Sequence, residues 1–106
     1  MKEINHELLA EAVHRIVQAV HPEQILLFGS QVWGHPTDES DIDLMIIVST
    51  SNQPEYRRAR EIYRSLRGIQ LPIDVLVRTR DEIERAAQVP ISLERQVLEQ
   101  GRELHG

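Results

Sequence analysis

Ile25-Leu26-Leu27-Phe28-Gly29-Ser30, and after ten further residues Asp41-Ile42-Asp43-Leu44-Met45-Ile46-Ile47-Val48, are the stretches whose reading decides the fold. The first is a short continuous apolar run ending at glycine, the pattern of a buried strand that delivers the chain into a tight turn. In the second, Ile42, Leu44, Ile46 and Val48 alternate with Asp41, Asp43, Met45 and Ile47, so a second strand is expected. It is polar on one face at its near end and apolar on both faces beyond Asp43, which implies burial on both sides at its far end. Between the two strands, Gly34 to Ser40 is small or polar with one proline, a loop composition.

Upstream, Leu8, Leu9, Ala12, Val13, Ile16, Val17 and Val20 recur at helical spacing, with Asn5 as N-cap and His21-Pro22 as the stop. Downstream, Pro54 opens a predicted helix in which Tyr56, Ala59, Ile62, Tyr63 and Leu66 share a face, closed by Gly68. Leu71 to Val77 reads as a third strand. Thr79 with Glu82 fits a capping box for a short helix through Ala87, and a last helix around Leu93, Val97 and Leu98 ends at Gly101. Residues Arg102 to His105 have the length of a small final strand. Without repeat, linker or low-complexity segment, the 106 residues are expected to form a single α/β (α+β) domain, a small mixed sheet with helices packed on it.

Composition narrows the function classes. Aromatics are only 4% against 41% apolar residues, so Leu, Ile and Val must build the core. The longest apolar stretches are too short to cross a bilayer, the N-terminus shows no apolar signal segment, and a cytoplasmic protein is expected. Zero cysteine excludes disulfides and thiolate metal sites. A net charge of −5 has the wrong sign for wrapping nucleic acid through its phosphates, so a direct nucleic-acid partner is not expected.

The chemistry concentrates in three aspartates. Asp41 and Asp43 are two apart on a predicted strand, which points both to one face with Cα atoms about 6.5 Å apart. Asp74 sits in Ile73-Asp74-Val75-Leu76-Val77, an otherwise apolar strand where an ionised carboxylate requires a compensating cation or donors. If the second and third strands are neighbours, three carboxylates meet, and hard cations such as Mg²⁺ relieve their repulsion. Two such ions about 4 Å apart favour in-line displacement at phosphorus. Gly29-Ser30, at a strand exit leading into a helix start, offers amides and a hydroxyl to phosphate oxygens. A P-loop is excluded, because Gly34 is followed by His35-Pro36 rather than Lys and Ser or Thr.

Gly29-Ser30, ten intervening positions and Asp41-Ile42-Asp43, together with Gly34 and Ser40, resemble the signature of the nucleotidyltransferase superfamily related to DNA polymerase beta. The order of elements from Ile4 to Leu104 is similar to the family's minimal form. The resemblance implies that Gly29, Ser30 and Ser40 hold the triphosphate of ATP or another nucleoside triphosphate. It further implies that Asp41 and Asp43 bind two Mg²⁺ ions, while Asp74 completes the metal site and helps activate an acceptor hydroxyl. The sequence departs from the pattern at Gln31-Val32-Trp33, near which minimal members often carry a basic residue. Minimal members also resemble antitoxin subunits that accompany a small all-helical HEPN-type toxin and add adenylyl groups to its tyrosine. A small HEPN-type protein is thus the expected partner and acceptor, with a small-molecule alcohol second. The competing reading is a domain that neutralises a partner or senses nucleotide without transferring anything.

Other residues admit plainer readings. Trp33 suits core packing as well as stacking on a base. Arg57, Arg60, Arg64 and Arg67 fall on one helical flank, most simply a solvated charged face. The five histidines, His6, His14, His21, His35 and His105, lack the close spacing of a zinc site.

Overall fold

The Asn5 side chain accepts the Leu8 amide at 3.1 Å, and this cap starts helix α1, His6–Val20, in the computed structural model, which describes residues 5–34 and 41–106. His21 ends the helix in the left-handed conformation, φ 47°, its amide bonded to the Val17 carbonyl. The chain then runs through β1 (Gln24–Phe28), a single turn α2 (Ser30–Trp33), β2 (Ile42–Val48), α3 (Glu55–Arg58) and α4 (Arg60–Ser65). It finishes with β3 (Ile73–Thr79), α5 (Arg80–Ala86), α6 (Leu93–Gln100) and β4 (Arg102–His105).

The four strands form one mixed sheet in the order β3-β2-β1-β4. β1 pairs antiparallel with both β2 and β4, whereas β2 and β3 are parallel, as a crossover through α3 and α4 requires. Alternation along the strands sends side chains into two cores. On one face Ile25, Leu27, Leu44, Ile46, Val75 and Val77 pack with Ile16 of α1 and Ile62 of α4. On the other, Leu26, Phe28, Met45 and Ile47 pack with Ile83 of α5 and Val97 of α6. β2 is buried on both faces beyond Asp43, as its composition demands. Each fully covered Leu or Ile contributes roughly 1.5–3 kcal/mol, so this three-layer packing holds β1 and β2 rigidly behind their polar ends.

Several elements differ from expectation. The third strand begins at Ile73 rather than Leu71 and continues to Thr79, where the expected capping box forms. Glu82 donates its amide to Thr79 Oγ1 at 3.2 Å, and the Thr79 amide donates to Glu82 Oε1 at 2.9 Å. The helix opened by Pro54 is split at Ala59, and Tyr56 and Tyr63 lie exposed while Ile62 and Leu66 take the buried positions. Two tyrosines with polar tips are poor tenants for a face packed on a small aliphatic core. The last helix buries only Val97, leaving Leu93 and Leu98 partly in solvent. No helix among the described residues is long and apolar enough to cross a membrane.

Candidate active site

Gly29 leaves β1 with φ 81° and ψ −154°, a conformation essentially reserved for glycine. Its carbonyl accepts the amides of Val32 and Trp33 at 3.0 and 3.1 Å, closing the turn α2. As the first residues of that turn, Ser30 and Gln31 have no intrahelical partner for their amides. A Cβ built on Gly29 would run into the carboxylate of Asp43. Glycine is therefore demanded twice, by the backbone angle and by the close approach of this turn to the aspartate.

Asp43 owes its place to register. It lies opposite Phe28 across the antiparallel pair β1–β2 and beside Asp74 across the parallel pair β2–β3. Neighbouring strands lie about 4.8 Å apart, and paired residues point to the same face, so the Asp43 and Asp74 carboxylates share one end of the sheet. Burial, then the charge of Asp74, then that of Asp41, raises the Asp43 carboxyl above its ordinary value of 3.8. Asp41 stands exposed just before β2.

Asp74 corrects one expectation. The apolar run around it implies burial and a need for compensation, but β3 is the sheet's edge and Asp74 is exposed. Its described hydrogen-bond partner is a tyrosine: Tyr63 Oη donates to Asp74 Oδ1 at 3.1 Å and accepts the Val75 amide at 2.8 Å. Helical spacing alone assigns Tyr63 to an apolar face. Only a phenol's need for polar partners hinted otherwise, and nothing in the spacing named the partner. Ser40 and His35 lie outside the described residues.

The donor chemistry suits a divalent cation: all three groups are hard carboxylate oxygens, and mutual repulsion of the kind seen at Asp43 is what such an ion relieves. The carboxylates are nevertheless not drawn together tightly, since no group of three or more Asp, Glu or His side chains among the described residues is arranged to hold one ion. Trp33, partly exposed, leans on Phe28 with ring centroids 6.1 Å apart, so it packs against the end of β1 beside the turn. A concavity of about 380 Å³ lined by Val20, His21, Val48 and Arg58 lies at the opposite end of β2, remote from the carboxylates.

A sequence model of the polymerase beta nucleotidyltransferase family matches residues 11–106. The chain belongs to this family. Gly29, Ser30, Asp41, Asp43 and Asp74 all fall within the matched span of this nucleotidyltransferase domain. In fold it is similar to a crystal structure described as a "putative nucleotidyltransferase" from Sulfolobus solfataricus. That chain is 26% identical, with a TM-score of 0.60 over 74% of this chain and 70% of the other. A comparison with curated proteins gives no match.

Proposed function

We propose that this nucleotidyltransferase domain transfers a nucleoside monophosphate, AMP from ATP in the first instance, to a hydroxyl of a small helical HEPN-type protein that it restrains as an antitoxin. The observation carrying the transfer is the side-by-side register of Asp43 and Asp74, with Gly29 pressed against Asp43. Asp41, Asp43 and Asp74 are the residues that would hold Mg²⁺, which when bound neutralises triphosphate charge and stabilises the pyrophosphate leaving group. Ser30, with the amides at the head of α2, binds phosphate oxygens, and Gly29 lets the triphosphate approach Asp43. Asp74 receives the acceptor hydroxyl and takes its proton. The acceptor oxygen then bonds to the α-phosphorus as the bond to pyrophosphate breaks.

Asp41 and Asp74 are exposed, which supports an acceptor delivered by a separate molecule. The helical partner rests on the resemblance to minimal antitoxin domains, and a cytoplasmic setting, where ATP and Mg²⁺ abound, belongs to the same reading. The test is incubation with Mg²⁺ and α-labelled ATP, with and without a co-purifying protein, followed by intact mass of every chain. A gain of one adenylyl group, absent with Asp41→Asn/Asp43→Asn, supports transfer.

The loose arrangement of the carboxylates favours a second reading, a module that binds and neutralises its partner without chemistry. Equal protection by wild type and the double variant, with no mass gain, would select it.

A further inference from the structure

Tyr63 has no part in the reaction as derived so far, yet its hydroxyl is the hydrogen-bond donor that the described residues present to Asp74. α4 packs against α1 on one face of the sheet, whereas Asp74 sits on the open edge strand, so the phenol reaches over that edge. There it does two things. It accepts the Val75 amide at 2.8 Å, which anchors the hydroxyl to the strand backbone, and its single proton is thereby aimed at Asp74 Oδ1, 3.1 Å away.

An exposed aspartate side chain on an edge strand can populate several staggered χ1 rotamers. A donor fixed to the neighbouring backbone selects one rotamer and occupies Oδ1. A phenol is protonated and a hydrogen-bond donor at neutral pH. The residue is 42% exposed, so its contribution to the core is partial and its polar contacts distinguish the position.

We propose that Tyr63 is a positioning residue for the nucleotidyl transfer: its hydroxyl, fixed by the Val75 amide, holds the Asp74 carboxylate in the orientation that receives the acceptor hydroxyl. This rests on the role given to Asp74 above, and the test separates the two. Tyr63→Phe keeps the ring and removes only the hydroxyl, so the fold is retained and melting confirms it.

First, without nucleotide or metal, the Asp74 side chain is followed by NMR through its χ1 couplings and carboxyl ¹³C shift. Wild type is expected to show a single rotamer and Tyr63→Phe an averaged one. Second, transfer rates are compared in a double-mutant cycle with Asp74→Asn. Tyr63→Phe is expected to lower kcat about tenfold with KM for ATP little changed, a loss of the size expected when a hydrogen bond to a charged group is removed. In the Asp74→Asn background it is expected to cost nothing further. An Asp74 that keeps one rotamer in Tyr63→Phe, or an equal kcat loss in both backgrounds, would overturn the proposal. If wild type transfers nothing, the proposed function fails while the NMR comparison still decides whether Tyr63 orients Asp74.

Discussion

Replacing Gly29 by alanine should damage stability and site together, because two independent demands meet at one Cα. The backbone sits at φ 81°, ψ −154°, where a non-glycine residue costs about 1–3 kcal/mol. The added methyl also meets the Asp43 carboxylate, which must swing from its rotamer at roughly 0.5–1.5 kcal/mol. The sum, about 1.5–4.5 kcal/mol, corresponds to a fall in melting temperature of roughly 7–20 °C for a domain of this size. Gly68 supplies the control: its φ is 89°, but a Cβ there meets nothing within 4 Å, so Gly68→Ala carries only the backbone cost of about 1–2 kcal/mol. Both variants are compared by thermal melting and by Mg²⁺-ATP binding in calorimetry. Gly29→Ala should melt lower than Gly68→Ala and alone lose nucleotide binding. If the two melt together and both bind ATP like wild type, the close approach of the Gly29 turn to Asp43 does not govern the site.

Glu82 is held at about 2 by its hydrogen bond to Arg58 and the Thr79 amide, against 4.5 when free. A depressed folded value gives stability that is present above pH 4.5 and lost as pH falls toward 2. Glu82→Gln should therefore cost about 1–2 kcal/mol at neutral pH and flatten the acid limb of a melting-versus-pH series. Asp43 is shifted the opposite way, so its charged form is penalised in the folded state. The penalty is complete above the raised folded value and gone below the unfolded 3.8. Asp43→Asn should accordingly melt higher than wild type at pH 7 in chelator, and the order should reverse as Mg²⁺ is added. Trp33 is the sole tryptophan and lies beside the turn at Gly29, so on the proposed function its fluorescence should change on adding Mg²⁺-ATP. The change should vanish in Gly29→Ala, and a persistent signal there would place nucleotide elsewhere.

Local signals were legible without coordinates. Asn5 as a cap, the Thr79–Glu82 box, the apolar run 25–28 and the two-faced burial of β2 depend on periodicity and on hydrogen bonds within a few residues, which a sequence carries directly. The nucleotidyltransferase signature was legible for the same reason, since Gly29-Ser30 and Asp41-Ile42-Asp43 flank one short connection and the family match bears it out. Strand order was not. Asp74 stands beside Asp43 only because β3 pairs with β2 in parallel. That pairing follows from which sheet edge the crossover helices can cover, a property of the whole packed molecule. The break at Ala59, the exposure of Asp74 and the reach of Tyr63 to it belong to the tertiary structure as well. Periodicity says which side of an element is apolar. Which polar group a side chain meets across the sheet edge depends on distances between elements far apart in sequence, and only the folded packing sets those.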